Sequence, residues 1–202
     1  VYKRQPKLLI MIKKLNITAL LVILMFVNQL FAQSDKVLLY GSCSIDEANK
    51  LSEYLKNTSN IDLTFEINDE ENLVFSKYPI IFLCGNSYLK LSETHIQELN
   101  KMILNGSLLL IDNYKSDYTL SIFLKKLLAE YPEKNNSISE VFKNNPYRVN
   151  FEQLQLNTKQ VYISKKLRVM ALKEKSIFES KLNDDNNLRL GSSIIFNYLI
   201  GN

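Results

Sequence analysis

Two short runs limit what this chain can fold into. Tyr78–Cys84 reads YPIIFLC and Ser107–Asn113 reads SLLLIDN. Each carries a continuous apolar stretch of strand length. A strand with one face in water alternates apolar and polar side chains; a strand that does not alternate must be covered on both faces. Covering both faces of a sheet takes helices, and the segments around these runs change to helical spacing. Ser92 stands as an N-cap, flanked by Leu91 and Ile96 at the staple positions. Ile96, Leu99, Met102 and Ile103 form one apolar stripe, and Gly106 closes it as a C′ glycine.

The same alternation runs through the rest of the chain. Lys36–Gly41, KVLLYG, reads as a short buried strand. Ser44 with Glu47 three residues on is a capping box, and Ala48, Leu51 and Leu55 follow at helical spacing. Ile61–Ile67 places Ile61, Leu63, Phe65 and Ile67 on one strand face. A helix is expected over Asp117–Tyr131, with Leu120, Phe123, Leu124, Leu127 and Leu128 inward and Pro132 ending it. Lys166–Glu174 reads as a late strand. Leu188–Ile200 reads as a last helix on Leu188, Ile194, Ile195, Tyr198 and Leu199. Asn135–Leu156 reads as a long connection. Strand–helix alternation implies parallel pairing with right-handed crossovers. The expected fold is therefore a flavodoxin-like, three-layer α/β domain with helices on both faces of a parallel sheet. Its ligand crevice would lie outside the carboxyl ends of the strands, between the first and third.

The first 32 residues read differently. Met11 is followed by Lys13 and Lys14 and then by an apolar run from Ile17 to Ala32. A charged start, an apolar stretch and a small residue at its end make a secretory signal over 11–32, cleaved after Ala32. Leu30 is large for its place before the cut, so retention of residues 15–32 as an inner-membrane anchor is the alternative. Residues 1–10 read as an upstream extension, and 33–202 as a single α/β domain. The expected location is exported, in the periplasm.

This leader also carries the positive charge. Lys3, Arg4, Lys7, Lys13 and Lys14 precede residue 33 and no acid does, so the formal +4 becomes 20 basic against 21 acidic residues, or −1. Nucleic-acid binding needs a basic face, and none is indicated. No zinc-ligand spacing occurs, and Gly41–Lys50, GSCSIDEANK, lacks the second glycine and the ending of a P-loop. Asp112 with Asp117 is too sparse a set for a metal. No cofactor or metal is expected.

The middle of the chain resembles a known family. YPIIFLCGNSYLKLSETHIQELNKMILNGSLLLIDN, then FLKKLLAEYPE, and RLGSSIIFNYLIG at Arg189–Gly201 resemble domain-of-unknown-function family 4159 across most of residues 36–202. Its members carry a Tyr-Pro strand ending in Gly-His, a helix opened by Ser-Asp/Glu, Gly-Gly before an apolar strand, and an Arg-Leu-Gly terminal helix. The resemblance implies a class I glutamine amidotransferase-like fold and no established activity. Three positions depart from the pattern: Gly-His becomes Gly85-Asn86, Gly-Gly becomes Asn105-Gly106, and a later His-Pro becomes Asn145-Pro146.

Cys84 raises the question of catalysis. A cysteine amidotransferase needs a thiolate on a strained elbow, a histidine to activate it and an acid to orient the histidine. Phe82 and Asn86 stand where the elbow glycines belong. Counted by strands, the elbow belongs one strand later, at Asp112-Asn113. The only histidine, His95, falls in the first turn of a helix, where it is expected to face outward, and no His-x-Glu pair occurs. Cys84 then reads as a small apolar residue ending a buried strand, or as half of a disulfide with Cys43, since strands one and three are neighbours in this order.

Three strand-end loops carry small polar groups: Gly41–Ser44, Gly85–Ser87 and Asp112–Asn113. Ser42, Ser44, Gly85, Asn86, Asp112 and Asn113 are the candidate ligand-binding residues. The structural reading beside it makes Ser44 a cap, Gly85 a turn and Asp112 an acceptor for nearby backbone amides. Asn68–Asn72, NDEEN, reads as a charged loop, and Lys165, Lys166 and Arg168 as a solvated strand edge. The expectation is a non-catalytic envelope protein that binds a protein partner or small ligand, with no nucleic-acid role, touching membrane only through an uncleaved N-terminus. The rival is a hydrolase of unknown type with its site around Asp112; a third reading is a degenerate scaffold domain in a larger membrane complex.

Overall fold

The chain divides into Val1–Asp35 and Lys36–Asn202. The computed structural model describes residues 36–68, 73–85, 91–114, 118–130, 138–143, 146–154, 156, 161–164, 167–174, 176–178 and 185–200, without the side chains of Thr119, Leu128 and Ser139. The leader, Asn86, Ser87, Asp117, Pro132, Asn145, Lys165 and Lys166 lie outside the described residues, as do Asp69 to Asn72.

The fold is α/β, built on a six-stranded, mostly parallel sheet. Its strands are β1 Lys36–Gly41, β2 Thr64–Ile67, β3 Ile80–Cys84, β4 Leu108–Asp112, β5 Val161–Ile163 and β6 Val169–Leu172. Its helices are α1 Ile45–Ser59, α2 Glu93–Leu104, α3 Tyr118–Glu130, the short α4 Ile138–Val141 and α5 Asp185–Ile200. The strand order is β2-β1-β3-β4-β6-β5, so the chain's direction of travel across the sheet reverses between β1 and β3. β5 runs antiparallel to β6 and was not expected from the sequence. It is three residues long, too short for a periodicity to show.

All five residues of β3 and of β4 are buried. Val37, Leu39, Ile80, Phe82, Leu108 and Leu110 feed one core cluster, which contains Leu51 and Leu55 of α1 and Ile194 and Ile195 of α5. Leu38, Ile81, Leu83, Leu109 and Ile111 feed the other, with Leu99 and Met102 of α2 and Phe123 and Leu127 of α3. Alternate residues of each strand thus point to opposite faces, as the pleat requires.

The helix ends explain the turns. Ser44 accepts from the Glu47 N–H at 3.4 Å, but the Glu47 carboxylate takes Lys50 Nζ at 2.7 Å instead of completing the expected box. α2 ends in a Schellman motif: Gly106 N–H donates to Ile103 and Ser107 N–H to Met102, with Gly106 at φ +99°. β2 is shorter than expected, and Ile67 at its end is 48% exposed, not inward. Lys36 Nζ donates to Glu66 at 2.5 Å and Tyr78 Oη to its second oxygen at 3.2 Å. The Lys36 hydrogen bond holds the Glu66 carboxyl below its ordinary value.

The connection after α3 proves to be part of the core. Ile138, Phe142, Tyr147, Leu154 and Leu156 are buried in the α1–α5 cluster, and Tyr147 reaches Ser59 at the end of α1. Gly191 lets α1 come close to α5: a Cβ there would stand 3.0 Å from Leu51 Cδ2 and 3.1 Å from Ile177 Cγ2. Gly191→Leu is therefore expected to overpack this contact and cost about 1–3 kcal/mol in a urea unfolding titration. An unchanged midpoint would mean that the contact yields freely.

Candidate functional site

The last rung of the sheet brings the candidates together. Gly41 is the register partner of Cys84, and Cys84 that of Asp112, across three adjacent strands. The Ser42 N–H donates to the Cys84 carbonyl at 3.2 Å, and the Gly85 N–H to the Asp112 carbonyl at 3.0 Å. Ser42, Cys43, Cys84, Gly85, Asp112 and Asn113 therefore share one carboxyl edge. Ser44 lies at the same edge, as the α1 cap.

Cys43 and Cys84 are joined by a disulfide, with Cα atoms 5.2 Å apart. It bridges β1 and β3, where the strand order reverses. Cys84 carries no free thiol in this state, and it faces the α1–α5 side of the sheet. His95 lies on the other side. Far from facing outward, it is 6% exposed, packed edge-on against Phe75 at 5.3 Å and Tyr40 at 6.2 Å. Its Nδ1 accepts from the Ser92 N–H while the His95 backbone N–H donates to Ser92 Oγ, so the imidazole completes the cap of α2. A histidine can replace the usual Glu or Gln at this position because its ring nitrogen can accept.

Asp112 is 1% exposed. Ser176 Oγ donates to its Oδ2 at 2.5 Å, and the Ile177 N–H lies 3.1 Å from both carboxylate oxygens. Ser176 Oγ in turn accepts from the Phe178 N–H at 3.1 Å. A buried carboxylate is tolerable only when it is hydrogen-bonded in this way. The bonds seat Ile177 against Gly191 and Phe178 against Phe82, with the ring centroids of the two phenylalanines 5.1 Å apart. Asp112 thus fastens the loop after β6 over the core. The structural alternative for Asp112 accounts for these contacts without a ligand.

Asn113 follows with φ +50°. Left-handed backbone at the turn out of β4 has the character of a nucleophile elbow, but asparagine adopts this conformation readily and supplies no nucleophile. Tyr114 comes next; burial, and then the charge of Glu174, raise its phenol above the usual value. Among the described residues, no cluster of His, Cys, Asp or Glu could hold a metal. Ser42 is exposed, and Ser44 and Asn113 are half-buried, the Ser44 hydroxyl being taken by the α1 cap. Sequence reading did not find Ser176; its only signal is a hydroxyl in the loop that follows a late strand. Arg168, expected on a solvated edge, instead donates to the Gly106 carbonyl and lies 5.6 Å from the Tyr198 ring centroid.

No protein-family model matches the chain, and comparison with curated proteins finds no match. The resemblance described above rests on its quoted motifs.

Two outcomes are expected at this edge. Reduction, or replacement of both cysteines by alanine, should lower unfolding stability by about 2–4 kcal/mol, since the bridge closes a separation of 41 residues. Alkylation without reductant, read by mass spectrometry, should label neither thiol in protein from an oxidising compartment. Asp112→Ala should cost about 1–3 kcal/mol by leaving Ser176 and the Ile177 N–H unpaired. Asp112→Asn should cost less, because its carbonyl still accepts, and Ser176→Ala should reproduce part of the loss. Full stability in Asp112→Ala would remove the fastening role.

Proposed function

We propose that this is an exported, non-catalytic domain of flavodoxin-like, three-layer architecture, similar to the amidotransferase-like fold, that binds a protein partner or small polar ligand at its carboxyl edge. The parallel order β2-β1-β3-β4-β6 supports the finer fold reading. The observation that carries the functional reading is the use to which that edge is put. Its cysteine is bridged, its carboxylate is committed to Ser176 and Ile177, and its histidine caps a helix on the other face. An acyl-transfer or hydrolytic site needs a nucleophile and base within reach of one another. A hydrolase acting through Asp112 would have to break its hydrogen bonds to Ser176 and Ile177 to free its base.

The bridge also supports export, because disulfides persist in oxidising compartments. On this reading residues 11–32 carry the chain out of the cytoplasm, and residues 15–32, where retained, hold it to the inner membrane. Recognition then falls to the exposed Ser42 and the half-buried Asn113.

A photo-crosslinking residue at Ser42 or Asn113 of the full-length chain, in its native envelope, tests this. Both sites should capture the same protein, or native mass spectrometry should show one retained small molecule, while Lys125 on α3 captures neither. The absence of both a common adduct and a retained molecule would overturn the reading. Turnover that survives purification and is lost in Asp112→Asn would replace it with the hydrolase.

A further inference from the structure

The opposite, amino-terminal edge of the sheet has a different character. α2 and α5 cover opposite faces of the sheet, yet their carboxyl ends meet there. Arg168, just ahead of β6, links them by donating to the Gly106 carbonyl beyond α2 and lying over Tyr198 of α5. Both helices end in exposed apolar side chains: Leu104, 73% exposed, on α2, and Leu199 and Ile200 on α5, the latter 64% exposed. Lys36, Lys56, Lys77, Lys101 and Arg168 lie at element ends on the same edge. Among the described residues, the acids there are Asp62 and Glu66, paired with Lys56 and Lys36, and Glu130 at the end of α3. At the carboxyl edge Glu47, Glu93 and Asp185 are paired with Lys50, Lys126 and Arg189, and Asp112 is buried.

Helix dipoles account for part of this polarity, since they favour acids at helix starts and bases at helix ends. They do not account for exposed leucine and isoleucine at the tips. Cations around protruding apolar groups fit an anionic lipid surface, where the charges meet headgroups and the apolar tips enter the acyl boundary. The direction of the chain agrees. Lys36 opens β1 at this edge, and the apolar run Ile17–Ala32 lies just upstream in sequence. No helix among the described residues is long and apolar enough to cross a membrane.

We propose that the amino-terminal edge of the sheet, through Leu104, Leu199 and Ile200 and the cations around them, rests on an anionic phospholipid bilayer. This rests on the reading of residues 15–32 as a retained anchor. It leaves the carboxyl edge turned away from the membrane.

The chain has no tryptophan, so a single one reports without background. Full-length chains carrying Leu104→Trp, Ile200→Trp or Tyr118→Trp would be placed in vesicles of phosphatidylethanolamine and phosphatidylglycerol, with and without bromine near the top of the acyl chains. All three positions are exposed, so the substitutions leave the core intact; Tyr118 opens α3 at the carboxyl edge. Leu104→Trp and Ile200→Trp should show blue-shifted emission and lose intensity to the brominated lipid, and Tyr118→Trp should show neither. If the chain floats with the vesicles but all three emit as in water, the docked edge is overturned and the anchor stands. Equal quenching at all three overturns the orientation. A chain that fails to float overturns the anchor, and the docking with it.

Discussion

Two adjacent strands with every residue out of water set the terms for the rest of the molecule. The backbone of β3 and β4 has no solvent to turn to, so its amides and carbonyls must be met by neighbouring strands. Their side chains must be met by helices on each side. That requirement places α1 and α5 on one face and α2 and α3 on the other. It also confines polar chemistry to the two ends of the sheet. The candidate residues that the structure describes lie at one end because a strand buried on both faces offers no other position.

Polar groups at such an end can serve recognition or fasten the loops. Here much of the polar inventory goes to fastening. The Asp112 carboxylate takes its bonds from a loop 64 residues further along the chain, and that loop delivers Ile177 and Phe178 to the core. His95 lends its ring to a helix cap and to two aromatic edges. Folds of this general kind host many activities, so the fate of individual side chains, not the architecture, carries the functional argument.

Where period and length agreed, the structure was legible in the residues. KVLLYG is β1 to the residue, and the continuous apolar runs became β3 and β4 within two residues at each end. Helices with caps at Ser44 and Ser92 began where those serines stood. Tertiary effects were less legible. β5 has three residues and exists because β6 is beside it. The segment after α3 has no period because Ile138, Phe142, Tyr147 and Leu154 are separate anchors rather than one face. His95 looked like a surface residue because helix position alone does not reveal Tyr40 and Phe75 packed over it. At the candidate site, the adjacency of Cys84 and Asp112 followed from strand order, but the hydroxyl that binds Asp112 came from a distant loop with no motif.

The two fasteners at the carboxyl edge also differ in when they can act. Both cysteines lie within the stretch from β1 to β3, so the covalent link needs nothing beyond residue 84. The Asp112 link needs Ser176 and Ile177, which come near the end of the chain. In a chain that enters an oxidising compartment amino end first, the bridge can hold β1 beside β3 while the later strands are still arriving. β4 would then add to a pair whose alignment is already held, and the Ser176 loop would close over a sheet already assembled. The order in which the chain becomes available would thereby become an order of assembly.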